Sequence, residues 1–98
     1  MPPATRSVAL DAYVVDVLLG DLVGHDRQPS AFLVYLWLAG RETHPVQVSY
    51  QDLAIRTGLS RSAVQTAVAH LKRRGLLDVT RASLTATPVY EVLRPWRR

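Results

Sequence analysis

From residue 8 to residue 23 apolar side chains recur at helical spacing, with Leu10, Val14, Val17 and Leu18 on one face and Tyr13, Val15, Leu19 and Leu22 on a second. A helix apolar on two sides needs two partners. One is the core of its own domain; the other is either a second copy of the chain or more of the same fold. Residues 24–28 read as a turn. A second helix is predicted from Pro29 to Ala39, with Pro29 in its first turn and Gly40 at its end. Its run from Ala31 to Leu38 is apolar on nearly every side, which marks it as the core helix. Residues 41–45 form a polar connection, and residues 46–48 suffice only for a loop or a brief strand.

Ser49 can cap a third helix, with Asp52 three residues later and Leu53, Ala54 and Ile55 following before Gly58 ends it. Asp52 is shorter than the Glu or Gln of a capping box, so Ser49 carries the cap. Ser60 caps a fourth helix, residues 60–74, whose apolar set Val64, Ala67, Val68 and Leu71 turns one face inward; Gly75 terminates it. Residues 77–81 and 89–93 alternate as two strands, joined by a loop rich in Ala, Ser and Thr that ends at Pro88. The order is helix, helix, short strand, helix, helix, strand, strand: a mainly α fold with a small β element, of the α+β class. Between the third and fourth helices, Ala54 leaves room for a close crossing and Gly58 permits the left-handed backbone of a sharp turn. Leu59 and Val64 fill the space between the two helices.

Composition limits what this fold can do. At 98 residues the chain is one domain. With 48 % hydrophobic and 20 % charged residues it has the balance of a folded protein. The absence of cysteine excludes disulfides, thiol catalysis and cysteine-ligated zinc, and makes the cytoplasm the default location. Asp11, Asp16 and Asp21 interrupt the apolar N-terminal stretch, so no membrane span is expected there. The net charge of +4 and a pI near 10.1 are unevenly spread. Residues 1–48 carry three basic against five acidic groups, net −2; residues 49–98 carry nine against three, net +6. The second half therefore suits a polyanionic partner and the first half a scaffold.

The stretch Leu53-Ala54 to Thr57-Gly58-Leu59-Ser60-Arg61-Ser62 to Val64, followed by Leu71-Lys72-Arg73-Arg74-Gly75-Leu76-Leu77, resembles the winged helix-turn-helix regulators, particularly the MarR-type and replication-initiator-like modules. The resemblance covers roughly residues 29–93. It implies that the fourth helix lies in the major groove of double-stranded DNA and reads bases through Arg61, Ser62, Gln65, Thr66 and Ala69. The chemistry agrees: Arg and Gln can make bidentate contacts to guanine and adenine edges, and hydroxyls are permissive readers. Ser49, Gln51, Thr57 and Ser60, at helix starts or in the turn, are candidates for gripping phosphates. Lys72 and Arg73, with Arg74 beside them, can do the same or can simply complement the helix C-terminus. In the wing Thr80, Arg81, Ser83 and Thr85 are candidate contacts, with Arg81 nearest to the chemistry of phosphate or minor groove. Two departures stand out: Ala67 and Ala69 make a slim recognition helix, and the wing tip lacks glycine.

The resulting expectation is a flexible tail at residues 1–7, a winged helix-turn-helix domain at 8–93 with a candidate dimerisation helix at 8–23, and a basic tail at 94–98. The function implied is sequence-specific DNA binding by a transcriptional regulator acting as a homodimer. The competing reading is a winged-helix protein-interaction module in a replication, partition or other assembly that reads no bases. His25, His44 and His70 never share the spacing of a helical metal pair, and His25 beside Asp26 reads as a turn-fixing pair. No metal, cofactor, small-molecule ligand or enzymatic activity is expected. Trp96, flanked by Arg94, Arg97 and Arg98, is left with three readings: dimer anchor, nucleic-acid contact or loose end.

Overall fold

A computed structural model describes residues 6–97. Its first element is a helical segment over residues 12–25 containing two wide turns, Val14–Leu18 and Asp21–His25. In these the amide of Leu19 reaches the carbonyl of Val14 and that of Asp26 reaches Asp21, each five residues back. The widened winding aligns residues four apart. Val14, Leu18 and Leu22 form the buried stripe, while Val15, Leu19 and Val23 form a parallel stripe that stays exposed. This corrects the expected faces: Val17 is 40 % exposed and Leu22 is wholly buried, because the repeat is four residues rather than 3.6. Residues 8–10 precede the helix, and it continues through His25 into what reads as a turn.

Helix α1 (Pro29–Ala39) is the central element, with Ala31, Val34, Tyr35 and Leu38 fully buried. It packs against α3, α2 and the N-terminal segment. At its end Gly40 is close-packed: a Cβ there would sit 3.3 Å from the Leu36 carbonyl and 3.4 Å from Val8. Arg6 donates to the Gly40 carbonyl at 2.8 Å and pairs with Glu42, so the last part of the expected N-terminal tail is tied down. Residues 1–5 of that tail lie outside the described residues.

Strand β1 (Val46–Gln47), helix α2 (Tyr50–Thr57), helix α3 (Arg61–Arg73) and strands β2 (Leu77–Thr80) and β3 (Val89–Val92) follow in the expected order. The three strands form an antiparallel sheet in the order β1-β3-β2, with Val46 opposite Tyr90 and Leu77 opposite Val92. Those four side chains are buried and close the core over α1 and α3. The wing is the exposed connection between β2 and β3. Beyond β3, residues 94–97 do not trail away: Trp96 stacks on Tyr13 with ring centroids 4.6 Å apart. Its indole N–H donates to Asp11 at 2.8 Å, and Arg97 grips the same carboxylate with two N–H groups. The expected basic tail is thus a clasp on the N-terminal segment.

Candidate nucleic-acid interface

The turn between α2 and α3 is built by local chemistry. The Ser49 hydroxyl accepts the Asp52 amide at 3.0 Å and starts α2. Gly58, at φ +75°, ends it; the Leu59 amide bonds back to the Ala54 carbonyl at 3.1 Å. Two residues after that glycine the Ser60 hydroxyl accepts the Ala63 amide at 3.1 Å and starts α3. At the far end Gly75, at φ +70°, lets the Leu76 amide reach the Leu71 carbonyl and the Gly75 amide reach Lys72, a complete Schellman closure. Val64, Ala67, Val68 and Leu71 face inward on α3. Arg61, Ser62, Gln65, Thr66 and Ala69 consequently form an exposed row on its other side, continued by exposed Lys72 and Arg73.

The structure sorts the candidate phosphate contacts. Gln51 and Ser60 are exposed, although the Ser60 hydroxyl is shared between its cap and the Ser62 hydroxyl at 3.2 Å. Ser49 is partly buried, and its hydroxyl oxygen accepts in its cap while its O–H proton stays free. The Thr57 hydroxyl donates to the Leu53 carbonyl at 2.7 Å, so its proton is unavailable to a phosphate. Arg81 lies 5.0 Å from the Tyr50 ring and donates to the Leu84 carbonyl, bracing the wing while leaving further N–H groups free. Ser83 and Thr85 approach each other at 3.4 Å, with Leu84 between them 92 % exposed at the wing tip.

Ion pairing divides the cations further. Among the described residues Arg61, Lys72, Arg73 and Arg81 have no carboxylate partner, whereas Arg74 pairs with Asp21 and Asp26. Arg74 therefore leaves the basic cluster that the sequence groups with Lys72 and Arg73. Asp26 also accepts from His25 at 2.9 Å and from His70 at 2.8 Å, so the turn-fixing pair expected from sequence is part of a five-residue network with Asp21, His70 and Arg74. Hydrogen bonds from both imidazoles hold the Asp26 carboxyl below its usual range, and the same carboxylate raises His25. Asp21, His25 and Asp26 bring ligand atoms within 4.8 Å of one another, but the Arg74 guanidinium already answers both carboxylates. The partners are 44 and 53 residues apart, and no local pattern announces such contacts.

Three helices packed around a turn, with a small antiparallel sheet whose hairpin projects beside the third, define a winged helix-turn-helix fold. Residues 28–77 match the family model of the helix-turn-helix domain, and the chain belongs to that family, a DNA-binding domain type. The match runs from the start of α1 into β2. It is to the general domain and does not single out MarR-type regulators. No curated protein and no solved structure matches the chain. No helix among the described residues is long and apolar enough to cross a membrane.

Proposed function

We propose that this protein binds double-stranded DNA sequence-specifically as a transcriptional regulator, with α3 in the major groove. The observation that carries this reading is the exposed row Arg61, Ser62, Gln65, Thr66 and Ala69, flanked by cations that no carboxylate neutralises among the described residues. Arg61 and Gln65 read base edges. Gln51 and Ser60, with Lys72, Arg73 and Arg81, hold phosphates and fix the register. Thr57, whose hydroxyl proton is taken by the Leu53 carbonyl, shapes the turn rather than touches DNA, while Ser49, partly buried but with a free O–H, is a lesser phosphate contact than Ser60. The exposed Val15, Leu19 and Val23 stripe supports a homodimer through the N-terminal segment. Two copies would favour an inverted repeat with half-sites about 34 Å apart.

Titration of a random duplex library at about 50 mM and about 200 mM salt tests the reading. Three phosphate-binding cations per copy give an expected log–log salt slope of about −3 per copy. Arg61→Ala should relax base preference and cost about 1–3 kcal/mol, whereas Arg73→Ala should weaken all sequences alike and reduce the slope by about 1. Absence of binding at low salt would overturn DNA recognition, and identical effects of the two changes would overturn the assignment of roles on α3.

A further inference from the structure

Away from the α3 row, α1, β1 and α2 enclose an open cleft of about 850 Å³. It continues into an apolar hollow of about 390 Å³ lined by Val8, Leu10, Leu33 and Leu36. Trp37, Arg41 and Arg56 belong to both, so the two form one groove with an apolar end and a cationic end. Val8 and Leu33 are 48 % and 42 % exposed, an apolar floor that the described residues leave partly open.

The cationic end is incompletely neutralised. Arg6 is matched by Glu42. The Arg41 guanidinium lies 4.1 Å over the Trp37 ring with its Nε donating to the Trp37 carbonyl, which fixes its plane. Its remaining N–H groups, and the whole Arg56 guanidinium, have no hydrogen-bond or carboxylate partner among the described residues. Burial, together with the nearby charges of Arg6 and Arg56, depresses the Arg41 pKa, so an incoming carboxylate would relieve a strained site.

The occupant must complement both ends. A DNA backbone brings phosphates but nothing for the leucines and valine, and it would meet Glu42 and Asp52 in the same cleft. A peptide can place a carboxylate on the guanidiniums, a bulky side chain in the hollow and backbone N–H groups on the two acids. We propose that this groove docks an acidic, apolar segment of a partner protein, with its carboxylates on Arg41 and Arg56 and its bulky side chain between Val8, Leu10, Leu33 and Leu36. The surface is separate from the α3 row, so the proposal does not rest on DNA recognition.

Fluorescence anisotropy with short labelled peptides, carrying carboxylates on both sides of a leucine, phenylalanine or tryptophan, tests it on the full chain. The controls are the same peptides with amides for acids. Binding that requires both the acids and the bulky residue is expected. Arg56→Glu and Leu33→Asp, both at exposed positions, should each weaken it by about tenfold or more. The same two variants should keep wild-type affinity for the random duplex library. Failure of every peptide, equal binding of the amide controls, or equal binding by the variants would overturn the proposal. Loss of duplex affinity in Arg56→Glu without peptide binding would assign the cleft to DNA instead. Peptide binding by a chain that ignores DNA would uphold the groove and sink the α3 reading.

Discussion

Tyr35 and Tyr90 are both fully buried, yet they are satisfied differently. The Tyr35 hydroxyl donates to the Leu93 carbonyl at 3.0 Å, tying α1 to the end of β3. The Tyr90 hydroxyl is buried beside Tyr50 but makes no hydrogen bond of good geometry among the described residues. Burial raises both phenols, Tyr35 to about 12, so neither ionises under ordinary conditions and the difference is one of hydrogen bonding. Tyr35→Phe should destabilise by about 1 kcal/mol, because it strips a bond from a carbonyl inside the fold. Tyr90→Phe should be neutral or stabilising, because it removes a desolvated hydroxyl and keeps the ring. Thermal denaturation separates them, with Tyr35→Phe melting about 4 °C or more below the wild type and Tyr90→Phe at or above it. The reverse order would mean that the Tyr90 hydroxyl is bonded after all. The sequence places Tyr35 in the core helix as a packing group, but its partner lies 58 residues away and no spacing rule reaches that far.

Helices α2 and α3 were legible in the sequence almost to the residue, since their limits are set by groups that act within four positions: the Ser49 and Ser60 caps and the left-handed Gly58 and Gly75. The outward row on α3 follows directly from those limits. The N-terminal segment was legible as a helix but not in its facing, because a repeat of four residues and one of 3.6 differ little over three turns. The clasp formed by residues 94–97 was not legible at all, because its acceptor, Asp11, is 85 residues from Trp96. That clasp carries a pH dependence. Hydrogen bonds from Arg97 and then Trp96 lower the Asp11 carboxyl from 3.8 to about 2. A depressed carboxyl contributes stability that is fully present above its unfolded value and is lost as pH falls through the folded one. The unfolding midpoint should therefore drop as pH falls from about 4 toward about 2. Asp11→Asn should lower stability at neutral pH and flatten this acid limb. Some acid dependence should persist in the variant, because Asp26 is depressed by its own imidazole partners. An acid limb unchanged by Asp11→Asn would show that the Asp11 carboxylate contributes nothing to folding, leaving the clasp to its aromatic stack alone.

Across the whole molecule, the opposed charges of the two halves acquire a more specific meaning once the chain is folded. Asp11 takes up Arg97, while Asp21 and Asp26 take up Arg74, so carboxylates of the acidic half neutralise cations of the basic half. Among the described residues Arg61, Lys72, Arg73 and Arg81, on and beside α3, keep no carboxylate partner, as do Arg41 and Arg56 in the separate groove. The same contacts anchor the N-terminal segment to the C-terminal end of α3, since Asp21 and Asp26 lie on or next to the first and His70 and Arg74 on or next to the second. A dimer formed through Val15, Leu19 and Val23 would therefore hold its two recognition helices at a fixed separation, which is what half-site spacing requires. Leu19 is 39 % exposed at the centre of the stripe, so Leu19→Glu can abolish association without emptying the core. Sedimentation velocity should find the wild-type chain as a dimer and the variant as a monomer with an unchanged circular dichroism spectrum. The monomer should still bind a single half-site but lose the preference for paired half-sites at fixed spacing. A wild-type chain that sediments as a monomer at every concentration would end the dimer reading, while leaving the contacts of α3 to be judged on their own.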